Sequence, residues 1–154
     1  MIKYYPEDQQ DYGFIGIKFP TNGNTAGSNG GFFNMSGTTE EQAVTNYINL
    51  LLTKKGERYM QPEFGIGIQY KLFEPNTLEN RTDIEFEIRR QSAKWLPYII
   101  NHRIEVREQA NLAGLAADPE NAFHIVITFS VTEAGANKQI TFFQNSGRVD
   151  YLVS

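Results

Sequence analysis

The sequence predicts an α+β fold in which two helices pack on one face of a mainly antiparallel sheet of three to four strands. From Thr38 to Pro97 apolar residues recur with the helical period of 3.6 residues, and after Pro97 they recur with the strand period of two. Aromatic residues make up 13% of the chain, which suits a sheet because flat rings pack well on a pleated surface. We therefore expect a helical layer that covers one side of a β-meander.

The chain length of 154 residues favours a single domain, residues 1–154, whose core needs neither disulfides nor metals. Within it we interpret residues 1–12 as an N-terminal extension, residues 20–38 as a loop rich in Gly and Asn, and residues 145–154 as a C-terminal extension. The N-terminus lacks the pattern of a signal peptide, and no stretch approaches the ~18 apolar residues of a bilayer-crossing helix. We expect no membrane partner.

The first element is predicted as a short strand from Tyr12 to Phe19. Its apolar residues Ile15 and Ile17 alternate with small or polar ones, and Pro20 ends the strand. The residues that follow, up to Thr39, include no charged side chain and many Gly and Asn, which favours a surface loop.

The first helix is predicted to begin near Thr38, because Thr38 with Glu41, or Thr39 with Gln42, has the spacing of a capping box. Four apolar residues follow at the i, i+3, i+4 and i+7 positions of one helix face. They are Val44, Tyr47, Ile48 and Leu51. We expect the helix to end at Lys54–Gly56, where two cations lie at the negative end of the helix dipole and the glycine takes the left-handed conformation.

The second helix is predicted to begin after Pro75, with Asn76 as its N-cap and Glu79 three residues further on. Residues of one helix face then recur at helical spacing and end before Pro97. They are Ile84, Ile88, Gln91, Ser92 and Trp95. Phe86 lies about 200° from Ile84 around the helix axis, so the helix has either a second covered face or an exposed Phe.

Three strands, with a fourth at the C-terminus, are predicted after Pro97. One face of the first strand carries Ile100, His102, Ile104 and Val106. One face of the second strand carries Phe123, Ile125, Ile127, Phe129 and Val131. The third strand runs from Lys138 to Gln144, and Arg148 to Val153 extends the meander after a turn at Asn145–Gly147.

Composition narrows the classes of function. A net charge of -4, a pI near 5.2 and the lack of any Lys/Arg cluster longer than two argue against a nucleic-acid partner. The chain has no Cys, which excludes thiol catalysis and thiolate metal sites. Its histidines, His102 and His124, lie in separate predicted strands without chelating spacing, so we expect neither a metal nor another cofactor.

A glycoside hydrolase is the enzymatic alternative that the residues offer. Glu57, Glu63 and Glu74 lie in the connection between the two helices and are the carboxylates available for acid and base roles. A catalytic acid needs a pKa raised by a dry pocket, but Arg58 directly follows Glu57 and favours its ionised form. We therefore predict no catalytic residues.

Residues 56–65, called the elbow below, are predicted to form a stiff connection between the helices. Gly56 ends the first helix, Pro62 fixes one φ angle and Phe64 fills the core. Gly65 permits a tight backbone path. The charged members of this motif are Glu57, Arg58 and Glu63. We expect these residues to serve structure rather than to bind a ligand.

Three short motifs in and after the elbow carry a family resemblance. They are Leu-Thr-x-x-Gly-Glu-Arg at Leu52–Arg58, Pro-Glu-Phe-Gly at Pro62–Gly65 and Leu-Phe-Glu at Leu72–Glu74. In this order after a helix, they closely resemble the baseplate wedge family of contractile-tailed phages, whose relatives also occur in type VI secretion baseplates. The resemblance spans most of the chain, roughly Gly13 to Gln144.

The resemblance implies a non-catalytic wedge subunit, present in several copies in the symmetric tail baseplate of a virion and assembled in the host cytoplasm. Its implied partners are other baseplate wedge proteins and the tail sheath subunit, and its implied role is to join the inner baseplate to the first sheath layer. Some family members carry a lysozyme-like label, so a peptidoglycan-degrading hydrolase stays as an alternative. A free-standing binding domain outside any tail is a third hypothesis.

The end of the second helix is one predicted partner contact. The family usually has Glu-Pro-Arg after an aromatic residue there, and docks on the helical bundle of a neighbouring wedge protein. This chain departs from that pattern, because the segment consists of Trp95, Leu96, Pro97 and Tyr98. An apolar contact is the natural substitute, since aromatic residues are frequent interface anchors.

The C-terminal sheet edge is the second predicted partner contact. Residues 139–145 contain no charge and no Pro and are rich in β-formers, including Ile140, Thr141, Phe142 and Phe143. Such a strand is an aggregation hazard when exposed, so we expect the last strand to cover it and the remaining open edge to accept strands from a partner. The resemblance implies the same, since family members seed sheath assembly through strand exchange with sheath arms.

Overall fold

The computed structural model describes residues 15–18, 35–75, 77–108, 123–131, 137–145 and 148–154. Within these ranges the chain has the predicted α+β fold, with three helices and two antiparallel sheets of two and four strands. The chain divides into two compact units, Met1–Thr45 and Asn46–Ser154, which are described in turn. The assignment of residues 1–154 to one domain stays a prediction.

The first unit contains a small antiparallel pair of strands, β1 (Gly16–Ile17) and β2 (Met35–Ser36). β1 lies within the strand predicted for Tyr12–Phe19. β2 was not predicted, and it lies in the segment predicted as a loop, residues 20–38. Two residues are too few to show an alternating pattern.

Helix α1 (Thr39–Leu52) begins with the first of the two predicted capping arrangements. The Thr38 hydroxyl accepts a hydrogen bond from the Glu41 backbone N–H at 3.2 Å, and the Glu41 carboxylate accepts one from the Gly37 N–H at 3.1 Å. The first bond satisfies a donor of the first helical turn, and the second ties the residue before the N-cap to that turn. Ala43, Tyr47, Ile48, Leu50 and Leu51 are buried, so the predicted face of α1 is confirmed, although Val44 is only half-buried.

The predicted end of α1 at Lys54–Gly56 was wrong, because the helix stops at Leu52 and has no basic residue in its last turn. Gly56 does have a positive φ, 89°. However, its N–H donates to the Pro62 carbonyl at 2.8 Å and not to a carbonyl of the helix. The glycine conformation therefore serves the elbow and does not cap α1.

Two further helices follow the elbow, and the shorter one was not predicted: α2 (Ile68–Lys71) and α3 (Leu78–Trp95). The predicted cap of α3, Asn76, lies outside the described residues. Thr77 is the N-cap, and its side chain accepts a hydrogen bond from the Asn80 N–H at 3.2 Å. The predicted inner face is confirmed, since its buried members are Ile84, Ile88, Gln91 and Ser92.

The larger sheet is an antiparallel meander with strand order β3-β4-β5-β6. Its strands are β3 (Ile99–Glu108), β4 (Phe123–Val131), β5 (Asn137–Asn145) and β6 (Arg148–Val153). Ile125, Ile127, Phe129 and Val131 of β4 are buried as predicted. The β5–β6 turn includes residues 146 and 147, which lie outside the described residues.

The alternation predicted for β3 was wrong in its first half. The register between β3 and β4 shifts between Asn101 and Arg103, so His102 occupies a bulge. A bulge inserts one residue and moves the side chains that follow to the opposite face. Ile99 and Ile104 are consequently both buried, whereas Ile100, which was predicted to share a face with Ile104, is exposed.

Both long helices contact the larger sheet in the second unit. The rings of Tyr47 in α1 and Phe129 in β4 meet edge to face at 4.8 Å between centroids. The Tyr47 hydroxyl donates to Asn101 Oδ1 at 2.5 Å, and burial raises the pKa of Tyr47 well above its usual range. From α3, Arg89 donates to the Asn101 carbonyl at 3.3 Å.

Candidate docking surfaces

The elbow is braced by hydrogen bonds within it and with the residues that directly precede it. Besides the bond from Gly56 to Pro62, the Lys54 N–H donates to the Glu57 carboxylate at 2.9 Å. Beyond the elbow, the Ile66 N–H donates to the Leu50 carbonyl at 3.2 Å and ties the returning chain to α1. These bonds close the connection on itself and hold it to the end of α1, as expected for a stiff elbow.

Gly65 is the position in the elbow where a side chain would both strain the backbone and collide with another part of the chain. Its φ is 104°, a conformation that L-residues rarely adopt. A Cβ atom added there would lie 2.2 Å from the Thr53 carbonyl oxygen, which is backbone and cannot turn aside. The close approach lets the chain pass directly beside the end of α1.

Phe64 packs on Trp95 and Arg58. The rings of Phe64 and Trp95 meet edge to face at 5.5 Å, and the Arg58 guanidinium carbon lies 4.0 Å from the Phe64 ring centroid. Phe64 is buried, as predicted for a residue that fills the core. The same contacts place the elbow beside the end of α3.

A polar and a charged side chain of α3 also bind the elbow. The Glu63 carbonyl accepts from Gln91 Nε2 at 3.1 Å, and its carboxylate accepts from Lys94 Nζ. The Lys94 ammonium lowers the pKa of the Glu63 carboxyl, which is 74% exposed. A solvated carboxylate that stays ionised has the opposite properties to a catalytic acid.

Glu87 of α3 is the centre of a second charged cluster. It pairs with Lys55 and with Arg90, whose Nη2 lies 2.9 Å from Glu87 Oε2, and it accepts from Gln91 Nε2 at 3.1 Å. Burial acts to raise its pKa, but the hydrogen bonds from Arg90, Lys55 and Gln91 outweigh burial and lower the pKa to about 2. Among the described residues, no group of three or more His, Asp or Glu is arranged to hold a metal ion.

The predicted contact at the end of α3 is partly occupied by the chain's own core. Leu96 is buried, and Trp95 is half-buried against Phe64. Pro97 is exposed, and the hydroxyl of the half-buried Tyr98 accepts from Asn46 Nδ2 at 3.1 Å. A partner would therefore meet mainly Pro97 and the exposed parts of Trp95 and Tyr98. Contact with a partner stays a prediction.

The predicted contact on residues 140–143 lies in β5, which is paired on both sides. β4 pairs with one side and β6 with the other. Ile140, Phe142 and Phe143 are buried and Thr141 is half-buried, so these side chains pack within this chain. Contact of these four residues with a partner is untested. Among the described strands, the free edge at this end of the sheet belongs to β6.

The sequence patterns missed two exposed features near the elbow. Tyr59 and Met60 at its tip are 95% and 86% exposed. An open cleft of about 520 Å³ lies between Lys54–Lys55, α2 and α3, and Tyr70 and Phe86 line it. Exposure of Phe86 was one of the two predicted outcomes for that residue. The cleft itself had no signal in the sequence, because its walls come from three separate segments.

The fold of this chain is similar to that of solved structures, among which are the following two. A Geobacter sulfurreducens protein named provisionally as a tail lysozyme matches with a TM-score of 0.53 and 23% identity, over 75% of this chain and 92% of that chain. A chain of the anti-feeding prophage (AFP) baseplate matches with a TM-score of 0.56 and 19% identity, over 75% of this chain and 83% of that chain. No curated protein matches the sequence. Among the described residues, no helix is long and apolar enough to cross a membrane.

The sequence itself matches one protein family over more than half of its length. The matching family is baseplate wedge protein gp25, and the matched residues are 39–135. This range contains the elbow, all three helices and the first two strands of the larger sheet. The resemblance found in the elbow motifs is thereby confirmed. The chain belongs to the baseplate wedge protein gp25 family, which supports a structural role in a baseplate with other baseplate proteins as its partners.

Proposed function

We propose that the chain is a non-catalytic wedge subunit that links the inner baseplate to the first layer of the tail sheath. In this role it seeds sheath assembly by accepting strands from a sheath subunit at the outer edge of β6. The observation that supports the proposal most strongly is that β6 is the last strand of the sheet and presents an unpaired backbone edge among the described residues.

The hydrogen-bond register shows which residues of β6 form this edge. Ser154 and Gln139 exchange both backbone hydrogen bonds, at 2.8 and 2.9 Å. In an antiparallel pair such exchanges occur at every second residue, so Leu152 and Asp150 also bond towards β5. The N–H and C=O groups of Val153, Tyr151 and Val149 therefore point away from β5, where an added strand would pair with them.

The opposite edge of the sheet is less suited to strand addition. β3 carries the bulge at His102, which interrupts a regular ladder. Arg103 and Glu105 also form an ion pair on this strand, and charged side chains discourage pairing at an edge. The pairing of β6 with β5 shows no such register shift.

The contact with the inner baseplate is proposed at the end of α3. Pro97 and Tyr98 lie at that end, and the packing of Trp95 on Phe64 fixes their backbone relative to the elbow. A rigid surface loses little conformational entropy on binding, which favours affinity. The two proposed contacts use different segments, so one subunit could hold two neighbours at once.

The absence of catalysis is part of the proposal. Glu63 is exposed with a lowered pKa, and Glu57 is exposed and accepts a hydrogen bond from the Lys54 backbone N–H. Neither group has the apolar surroundings that keep a general acid protonated. A hydrolase remains the competing hypothesis because one protein of the same fold carries the provisional name of a tail lysozyme.

The test is Val153→Pro, with Val153→Thr as its matched control. Proline removes the outward-pointing N–H of residue 153 and leaves the bonds between β5 and β6 in place, because residue 153 does not donate to β5. Threonine keeps the N–H and the β-branched shape. We expect both variants to fold and enter baseplates, and only Val153→Pro to reduce sheath polymerisation from them.

Two results would contradict the proposal. Normal sheath polymerisation from Val153→Pro baseplates would show that the β6 edge does not receive a strand. Absence of the wild-type chain from purified tails, measured by mass spectrometry, would instead contradict the wedge role itself and favour a free-standing domain.

A further inference from the structure

The cleft between Lys54–Lys55, α2 and α3 is separate from both proposed contacts. Its volume of about 520 Å³ lies within the range of sites that hold a ligand or a few side chains. The residues that line it lie directly before the elbow, in and around α2, and on the outer face of α3. None of them belongs to β6 or to the Trp95–Tyr98 segment.

Two aromatic side chains line this cleft and remain largely in water. Phe86 is 65% exposed and Tyr70 is 47% exposed. Single exposed apolar residues are common, but two aromatic residues that share a concave surface are typical of an interaction site. Covering them with an apolar side chain would remove a substantial aromatic area from water.

The charged residues of the cleft indicate which charge a bound segment would carry next to its apolar side chain. Lys55 pairs with Glu87, and Lys71 pairs with Glu74 at 3.1 Å. Lys54 lies over the Tyr70 ring, with Nζ 4.5 Å from the centroid, and its side chain has no carboxylate partner in the part of the chain that the structure describes. Asp83 also lines the cleft, so its cations and carboxylates are equal in number, and Lys54 is the cation that lies on the aromatic surface rather than beside a carboxylate.

We propose that this cleft holds a segment of a neighbouring, different baseplate protein. The segment places a large apolar side chain against Phe86 and Tyr70 and a carboxylate against Lys54. The position of the Lys54 ammonium on the Tyr70 ring supports a carboxylate at that point, and the net charge of -4 disfavours contact between two copies of this chain. The inference rests on the proposed function only in assuming that the chain is assembled with other baseplate subunits.

The experiment places the photo-crosslinking residue p-benzoylphenylalanine at Phe86 in particles assembled with the full chain. The matched control carries the same residue at Leu78, which is 81% exposed on the same helix but does not line the cleft. We expect irradiation to link position 86, and not position 78, to a protein other than this chain. Mass spectrometry of the adduct should locate a large apolar residue close to an Asp or Glu.

Charge variants at Lys54 test the second half of the proposal in the same particles. Lys54→Glu places a like charge opposite the predicted carboxylate and should lower the adduct yield about tenfold or more. Lys54→Arg keeps the positive charge and should retain the adduct. The hydrogen bond from residue 54 to Glu57 uses the backbone N–H, so both variants keep it. Thermal unfolding of each purified variant serves as the control for folding.

Several outcomes would overturn the proposal. They are an adduct with a second copy, equal adducts from positions 86 and 78, no adduct in particles that contain the chain, or an adduct that Lys54→Glu does not change. If the chain itself is missing from purified particles, the wedge proposal fails and this inference fails with it. The presence of the chain in the particles therefore distinguishes the two failures.

Discussion

Replacement of Gly65 by Ala tests whether the elbow depends on its close approach to α1. Two costs add at this position. The φ of 104° costs a residue with a side chain about 1–3 kcal/mol. The added Cβ would also lie 2.2 Å from the Thr53 carbonyl oxygen, where ordinary contacts begin at 3.4 Å, so the backbone must move. Forcing atoms into a packed site costs a further ~1–3 kcal/mol.

The expected total for Gly65→Ala is a loss of about 2–6 kcal/mol in the free energy of unfolding, a large part of the total stability of a typical domain. Gly56→Ala is the matched control, because its φ is also positive, 89°, and no atom lies within 4 Å of the added Cβ. That variant should lose only the backbone term, about 1–3 kcal/mol. The difference between the two variants isolates the steric contact.

Urea-induced unfolding, followed by the fluorescence of the single Trp, measures both variants. We expect Gly65→Ala to unfold at clearly lower urea than Gly56→Ala, or to fail to fold where Gly56→Ala folds. Equal midpoints would refute the argument that contact with the Thr53 carbonyl fixes this glycine.

The remaining predictions concern acidic residues. Glu87 has a pKa of about 2 in the folded chain, below its ordinary value of 4.5. Its carboxylate therefore stabilises the fold fully at a pH above 4.5, and this contribution is lost as the pH falls towards 2. The difference in free energy of unfolding between wild type and Glu87→Gln should shrink between about pH 6 and pH 3, and a constant difference would contradict the assignment. For Glu63, we expect purified wild-type chain to release no product from purified peptidoglycan, and product release that Glu63→Gln abolishes without unfolding the chain would establish the hydrolase instead.

The helical layer and most of the sheet were predictable because their residues follow simple periods. The buried face of α3 and the alternation of β4 both depend on contacts that repeat at 3.6 or two residues, and the structure confirms both. The start of α1 was also predictable, because its capping bonds join residues that are only three or four positions apart. The Glu41 N–H donates to the Thr38 hydroxyl, and the Glu41 carboxylate accepts from the Gly37 N–H. Local chemistry was sufficient for these elements.

Features that depend on contacts across the chain were not predictable. The bulge at His102 reverses the facing of Ile100, and nothing in the alternating sequence marks an extra residue. Gly56 has the expected positive φ, but its hydrogen bond goes to Pro62 and not to α1, because the elbow closes on itself. The four-residue helix α2 is too short to display a period.

The candidate contacts also differ in how far the sequence predicts them. The sequence located the C-terminal sheet edge through the uncharged run in β5, whereas the register places the unpaired groups on Val149, Tyr151 and Val153 of β6. The cleft beside Phe86 was not predictable, because the position of Phe86 off the inner face of α3 indicated only that this residue is exposed or covered by a second contact. Its other walls depend on how the elbow and α2 return to that helix.

A cryo-EM reconstruction of assembled tails tests the central proposal most directly. We predict that this chain lies between the inner baseplate and the first sheath layer, with a strand of a sheath subunit hydrogen-bonded to the outward groups of Val149, Tyr151 and Val153. A reconstruction in which the chain occupies the baseplate while the outer edge of β6 stays unpaired would contradict the proposal.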